Sequence, residues 1–330
     1  SYFWGSNDKR EEVVLRLSAT PAVAAKGAVA LGTSSVSQSA TTRLTKVLPS
    51  VRNQIFDDCV INAIAAAIEY ITTPTKTDTT GLLPLKISRV GLYNATIRSS
   101  YYSGLDAWKR NYLAVGSNDQ GVTLGDAIKT LDRYGAFPEI DLKVTNTFTV
   151  PGWGYDYSFK KLPVPQEMFL LALDTDFDGI NDDIQNALID GGYLLKKEAC
   201  LVPNPYAKVA QSLHYQPIEP PQKHLYDDKF YGTIRRFISE DKPIVIGIGV
   251  ASSFKSSSGG LITSSAVDSF LGPHAILVLG YGDYGQGKDC FYIQNSWGSS
   301  WGKGGRGYIS KDYFEKYFYG VFALWIPGFF

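Results

Sequence analysis

Gly272-Pro273-His274-Ala275-Ile276-Leu277-Val278-Leu279-Gly280-Tyr281-Gly282 is followed, after a polar stretch, by Phe291-Tyr292-Ile293-Gln294-Asn295-Ser296-Trp297-Gly298. Two apolar runs separated by glycine and polar residues predict neighbouring antiparallel strands. His274 then stands at the head of one strand and Asn295 at the end of the next, so a hairpin-like turn brings the two side chains to one edge of a sheet. An asparagine oxygen that accepts from one ring nitrogen fixes the imidazole's tautomer and leaves the other nitrogen facing a nucleophile. Cys59 offers the thiol, and the three residues together point to a Cys-His-Asn hydrolase.

The surroundings of Cys59 fit that part. From Cys59 to Ile71 the chain carries Val60, Ile61, Ala63, Ile64, Ala65, Ala66, Ala67 and Ile68, a helix apolar almost all round, and Thr72-Thr73-Pro74 ends it. A cysteine in the first turn of a helix sees unpaired backbone N–H groups and the positive end of the dipole, both of which favour thiolate. The oxyanion formed in acyl transfer needs hydrogen-bond donors. Gln54, five residues before Cys59, offers a side-chain amide beside the Cys59 backbone N–H.

Further along, Thr123-Leu124-Gly125-Asp126 has the form of a capping box. It opens a helix whose inward face is Leu124, Ala127, Ile128 and Leu131, with Gly135 as the stop. The second half turns to short apolar runs, Ile244 to Val250, Ala275 to Leu279, Phe291 to Gln294 and Tyr308 to Ile309, which read as strands. Ser252 to Ser265 reads as a flexible loop and Tyr317 to Phe330 as a packed terminal strand. Residues 1–42, rich in Ala, Ser, Thr and Gly, read as an extension ahead of the folded body.

With 330 residues, 44% hydrophobic and 19% charged, the chain can bury a large core as one domain or as two lobes sharing a cleft. Lysine plus arginine balance aspartate plus glutamate at 32 each, so neither nucleic acid nor a membrane is expected as a partner. No apolar run has the length needed to cross a bilayer. Cys59, Cys200 and Cys290 are too few and too scattered for a disulfide framework, which predicts a reducing compartment. The alanine-rich stretch 21–32 is interrupted by Lys26 and preceded by Arg10, Glu11 and Glu12, a poor secretory signal, and Ser1 fits a processed or trimmed start.

Val51-Arg52-Asn53-Gln54, Cys59 opening a helix, Gly272-Pro273-His274-Ala275 running to Gly280-Tyr281-Gly282, Asn295-Ser296-Trp297-Gly298-Ser299-Ser300-Trp301-Gly302, and Gly305-Arg306-Gly307-Tyr308-Ile309 resemble, in order, the landmarks of the papain family of cysteine peptidases. A weaker likeness runs through Ile87-Ser88-Arg89-Val90-Gly91-Leu92-Tyr93 and from Asp119-Gln120-Gly121 to Glu139. It looks most like the disulfide-poor members of prokaryotes and large DNA viruses, which implies an intracellular or virion location. The resemblance covers about residues 44–326 and is sparse between 140 and 230.

The resemblance implies an α+β, papain-like fold of two lobes with the active-site cleft between them. A mainly helical lobe, 43–195, would carry Cys59, with an insertion near 140–230. A mainly β, antiparallel barrel-like lobe, 196–330, would carry His274 and Asn295. The implied roles are Cys59 as nucleophile, His274 as general base and acid, Asn295 as orienting residue and Gln54 as oxyanion donor. Gly121, Ala275, Trp297 and Pro327 would bind substrate. Trp297 would also shield the His274–Asn295 hydrogen bond, and Ala275 with Ile326 and Pro327 would give an apolar pocket beside the scissile residue's own. The implied substrates are peptides or proteins, cleaved through a thioester acyl-enzyme with no required cofactor. Residues 1–42 would be an extension or a residual propeptide over the cleft. Two rivals keep the fold: an inactive binding or structural protein, and a transamidase that passes the acyl group to an amine.

The chain departs from that family in several places. The Gln54–Cys59 loop is one residue shorter, Asp57-Asp58 replace the usual small residues before the cysteine, and Val60 stands where tryptophan is usual. Asp57 or Asp58 is expected to cap the helix. Cys59 and His274 are 215 residues apart, against about 130 to 150 in the papain signature. Within the excess, Asp174-Thr175-Asp176-Phe177-Asp178-Gly179-Ile180-Asn181-Asp182-Asp183-Ile184-Gln185 resembles an EF-hand-type loop. Asp174, Asp176, Asp178 and Asp182 would hold Ca2+, although Gln185 cannot give the twelfth-position bidentate carboxylate. The other reading of the segment is a solvated acidic turn with helix-capping aspartates.

Overall fold

The computed structural model describes residues 25–27, 41–54, 58–75, 84–87, 89, 92–93, 96, 121–134, 136, 147–149, 156–158, 209, 212–284 and 289–327. In chain order the elements begin with β1 (Thr42–Arg43), α1 (Cys59–Ile71), α2 (Leu124–Tyr134), β2 (Thr147–Thr149), β3 (Asp156–Ser158), β4 (His214–Pro217), α3 (Asp228–Ser239) and β5 (Ile244–Ala251). They continue with α4 (Ser252–Lys255), β6 (Leu261–Ile262), β7 (Phe270–Asp283), β8 (Asp289–Gln294), β9 (Arg306–Ser310), α5 (Lys311–Lys316) and β10 (Phe318–Trp325). The acidic segment 174–185, with Asp174, Asp176, Asp178 and Asp182, and Cys200 and Asp57 lie outside the described residues.

Contacts divide the chain into two compact units. One is formed by Ser1–Leu85, Asp119–Ile128 and Ser212–Phe330, the other by Lys86–Asn118 and Lys129–Gln211. Helix α1 falls in the first unit, with the strands of the sheet. In the second unit β2 and β3 form an antiparallel pair, Thr147 opposite Ser158. Helix α2 begins as its sequence predicts: Thr123 Oγ1 accepts from the Asp126 backbone N–H at 3.0 Å, and Leu124, Ala127, Ile128 and Leu131 are buried.

The first unit is built on an eight-stranded sheet of order β4-β10-β5-β7-β8-β9-β6, with β1 added to β7. All its pairings are antiparallel except the short β6–β9 contact. Strand β5, Ile-Val-Ile-Gly-Ile-Gly-Val-Ala, is buried at every position, as its unbroken apolar run requires of a central strand. Helix α1 packs on β7, β5 and β10. Its Ile61, Ile64 and Ile68 are fully buried, each contributing about 1.5–3 kcal/mol relative to exposure, enough to fix the helix on the sheet. Thr72 stops α1 by turning its Oγ1 back onto the Ile68 carbonyl at 2.8 Å.

The Gly280-Tyr281-Gly282 motif has a packing cause. Strand β1 crosses so close that a Cβ on Gly280 would meet the Thr42 carbonyl oxygen at 2.9 Å, and one on Gly282 would meet Thr41 Cα at 2.8 Å. Thr42 therefore belongs to the folded body rather than to the extension. Lys26 exchanges backbone hydrogen bonds with Tyr215 on β4, and β4 is three places from β7 in the sheet order.

Two local expectations change. His274 is not at the head of its strand, because β7 begins four residues earlier at Phe270. Pro273 is accommodated there because β8 has already ended, its last pairing on β7 being Gln294 with Leu277. Ser252 to Ser265 is not a loose loop either. The Asp268 carboxylate accepts from Ser252 Oγ at 3.0 Å, the Ser253 N–H at 3.0 Å, Ser253 Oγ at 2.8 Å and the Ser265 N–H at 3.2 Å. Those bonds brace α4 and outweigh partial burial in holding the Asp268 carboxyl below its ordinary range.

Candidate active site

Antiparallel β7 and β8 deliver the first pair. Asn295 follows the end of β8, and its Oδ1 lies 2.7 Å from His274 Nε2. The same oxygen accepts from the Ser296 backbone N–H at 2.8 Å, which identifies it as the oxygen end of the amide and makes His274 Nε2 the donor. Nδ1 is thereby left as the nitrogen that takes or gives a proton. Asn295 is itself fixed by its backbone N–H, which donates to the Gly305 carbonyl at 2.9 Å. Gly305 has φ +84°, and a Cβ there would sit 2.2 Å from Val51 Cγ1, so only glycine fits.

His274 is 2% exposed. The Trp297 ring lies over the imidazole, centroids 4.8 Å apart and planes inclined by 31°. Phe254 from α4 meets it edge-on at 5.9 Å and stands perpendicular to Trp297 at 5.6 Å. Trp301 closes the box, 5.0 Å from Phe254, with its Nε1 donating to the Phe254 carbonyl at 3.0 Å. Burial in this aromatic enclosure pushes the His274 pKa down to about 4, opposed only in part by the hydrogen bond to Asn295.

Cys59 is the first residue of α1 and half-exposed, whereas Cys290 is buried. Cys59, Asn62, Ala63 and Ala66 share one helix face by their spacing. Asn62, Ala63 and Ala66 border a small cavity together with Ala275 and Asn295, so Cys59 stands one helical turn, about 5.4 Å, from residues that touch the histidine strand. Asp58 occupies the N-cap position but its side chain makes no capping bond. Its backbone, φ −99° and ψ 25°, lacks the extended geometry that turns an N-cap side chain onto the first turn. The Asp58 carbonyl accepts the first intrahelical bond, from Asn62 N, and a second from Asn62 Nδ2.

Gln54 is held against the Asn295 segment. Its backbone N–H donates to the Ser296 carbonyl at 2.7 Å, its Oε1 accepts from Ser296 Oγ at 2.7 Å, and the neighbouring Asn53 and Trp297 form an antiparallel bridge. From behind, Glu69 of α1 takes Arg52 Nη2 at 2.9 Å and the Ser50 N–H at 3.2 Å. The Ser296 hydroxyl thus fixes Oε1 as the accepting end of the amide and Nε2 as its donor end. Ser296 was visible in the sequence only as the neighbour of Asn295, and nothing there announced its bond to Gln54. Removing its hydroxyl in Ser296→Ala is expected to lower kcat by about three- to tenfold with little change in KM, because one neutral hydrogen bond that orients Gln54 is lost. Steady-state kinetics on one peptide check this.

The residues assigned to substrate binding do not all converge. Trp297 adjoins His274, and Ala275 follows it on β7. Gly121, at φ +69°, precedes α2, whose Leu124 Cδ1 lies 3.6 Å from where a Cβ on Gly247 would stand; Gly247 pairs with Ala275. Pro327 does not join them. The β10 residue level with Gly247 is Gly320, so seven residues of extended chain, roughly 20 Å, separate Pro327 from that level. The register of β10 turns its far end, with Trp325 opposite His214, away from the histidine.

Residues 194–317 match the papain family cysteine protease profile. The matched segment holds His274 and Asn295, and Cys59 precedes it. A cysteine protease of Blomia tropicalis is 34% identical over 77 residues, 23% of this chain and 23% of that protein. An uncharacterized peptidase C1-like protein of Acanthamoeba polyphaga mimivirus is 32% identical over 111 residues, 32% of this chain and 34% of that one. The matched stretches thus span about a third or less of these relatives. Among solved structures, xylellain, a cysteine protease from Xylella fastidiosa, superposes with TM-score 0.53 at 18% identity, covering 87% of this chain and 85% of its own. The fold is therefore the α+β papain-like fold.

Proposed function

We propose that this chain, whose residues 194–317 match the papain family cysteine protease profile, hydrolyses peptide bonds by covalent catalysis on Cys59. The observation that carries the reading is the 2.7 Å His274–Asn295 bond, set in a water-excluding aromatic box beside the helix that begins with a half-exposed thiol. Burial that outweighs the Asn295 hydrogen bond favours the neutral His274 imidazole at pH 7. An anion opposite Nδ1 changes that, and the Cys59 thiolate, favoured by the helix N-terminus, is such an anion. The proton thus passes from Sγ to Nδ1 to form a thiolate–imidazolium pair.

Attack of the thiolate on the scissile carbonyl forms the C–S bond and places negative charge on the carbonyl oxygen. Gln54 Nε2 and the Cys59 backbone N–H are the donors for that charge. Collapse breaks the C–N bond as the leaving amine takes the Nδ1 proton, giving the thioester. Water, deprotonated by Nδ1, then attacks the thioester, the acid is released and the proton returns to sulfur. Hydrolysis of a peptide library, with new amino termini read by mass spectrometry, tests the reading. Cleavage by the intact chain is expected, and a folded chain that cleaves nothing would contradict it.

The proton balance gives a second check. The chain has 3 histidines, so each imidazole can be followed by NMR. In Cys59→Ala, where the thiolate is gone, His274 is expected to titrate near its burial-depressed value of about 4. In the unmodified chain the ion pair holds the ring protonated to higher pH. Equal His274 titration in the two proteins would show that no thiolate faces it.

A further inference from the structure

A cavity of about 360 Å³ opens beside the aromatic box, bordered by Trp297, Trp301, Val250 and Leu271 below and by Lys255 with several hydroxyl and amide side chains around it. None of its lining residues carries a carboxylate. The nearby Asp268 carboxylate is engaged by Ser252, Ser253 and Ser265. The cavity thus combines an apolar floor with one exposed ammonium and neutral donors from Ser256, Ser257, Ser300 and Asn53.

Its position relative to the chemistry follows from the proton path. The leaving amine takes its proton from His274 Nδ1, so the leaving half of the substrate must pass within hydrogen-bond reach of that ring. Trp297 both lies over His274, its ring tilted by 31°, and walls the cavity, which fits the cavity to the leaving half of the substrate. We infer that Lys255 makes this cavity select a carboxylate within two residues beyond the scissile bond, its methylenes or the substrate's resting on Trp297 and Leu271. The inference rests on the peptidase reading. The shared chemistry has two sources: an acidic side chain, or the free terminal carboxylate of a short leaving peptide.

Quenched fluorescent peptides with one common acyl half separate these. One set carries Glu or Gln at the first or second position beyond the scissile bond, and another ends at the second position in a free carboxylate or an amide. The charged member of at least one pair is expected to have kcat/KM about three- to fivefold higher, the size of a solvent-exposed ion pair, and to lose that advantage in high salt. Lys255→Gln should bring the ratio to about one, and Lys255→Glu should invert it. A preference confined to the first set identifies the side chain as the source, and one confined to the second identifies the terminus. Ratios of one in every pair, from a chain that still cleaves the peptides, overturn the inference and leave the peptidase reading standing. No cleavage of any peptide, with Cys59 unreactive, overturns both.

Discussion

Replacing Cys59 by alanine is expected to lower kcat/KM for peptide hydrolysis by about 10⁴-fold or more while leaving the fold intact. In the proposed mechanism the thiolate forms the covalent intermediate, and alanine offers no nucleophile in its place. Gln54 and the backbone N–H would still polarise a carbonyl, so a small residual rate over water is expected. Cys59 is half-exposed at the first position of α1, where alanine is a good helix former. The stability cost should be about 1 kcal/mol or less. Cys290, buried on β8, provides the contrast: Cys290→Ala should leave kcat/KM essentially unchanged. Retained turnover in Cys59→Ala, or loss in Cys290→Ala with the fold intact, would put the nucleophile elsewhere.

His274→Ala is expected to lower kcat/KM by about 10³- to 10⁴-fold through two separable effects. The leaving amine loses its proton donor, and the thiol loses the cation that holds it ionised. The second effect has a readout independent of turnover. The pH profile of Cys59 alkylation by iodoacetamide should move up toward the ordinary thiol value of about 8.5. A merely structural role for the histidine would not move that profile. The substitution also empties the space between Trp297 and Phe254 and leaves Asn295 Oδ1 without its ring partner, so a stability loss of about 1–3 kcal/mol is expected. Alkylation must therefore be followed on protein shown to be folded by near-ultraviolet circular dichroism. An unshifted profile would mean that His274 does not face the thiol.

Those two substitutions concern the residues most legible in the sequence. The apolar run of β7, its glycine-closed end and the Asn-Ser-Trp-Gly that follows β8 are local patterns, and local patterns survive as strands because both faces of β7 are covered. Helix α1 was legible for the same reason, its boundaries at Cys59 and Ile71 matching an apolar run closed by threonines. What the residues could not announce depends on contacts between distant segments. Ser296 reaching Gln54 across 242 positions is one such contact. Phe254 is another: a lone aromatic in a serine-rich stretch, it packs on His274 from a short helix that Asp268 braces through Ser252 and Ser253. Pro327 fails as a pocket residue because the register of β10, invisible in one strand alone, carries it to the wrong end of the sheet. Asp58 fails as a side-chain cap because its backbone turns before the helix begins.

The Gln54 segment had the most to gain from structure. A loop one residue short gives no reason to expect the amide in place. The Ser296 hydroxyl and backbone, the Asn53–Trp297 bridge and the Glu69–Arg52 pair supply one. That anchoring also links Gln54, the proposed oxyanion donor, to the segment from Asn295 to Gly298 that holds and covers the histidine. In the proposed mechanism a single hydrogen-bonded segment would then serve both the proton path and the charge that develops opposite it, the preorganisation that acyl transfer needs.

Cys59 as an activated nucleophile is tested most directly by treating the reduced, folded chain with an epoxysuccinyl thiol-protease inhibitor at neutral pH and locating the adduct by peptide mass spectrometry. One equivalent is expected on Cys59, with none on Cys200 or Cys290, and the labelling should disappear in His274→Ala. Absence of any adduct on Cys59 under reducing conditions, or equal labelling with and without His274, would contradict the assignment and leave a papain-like fold that binds without cleaving.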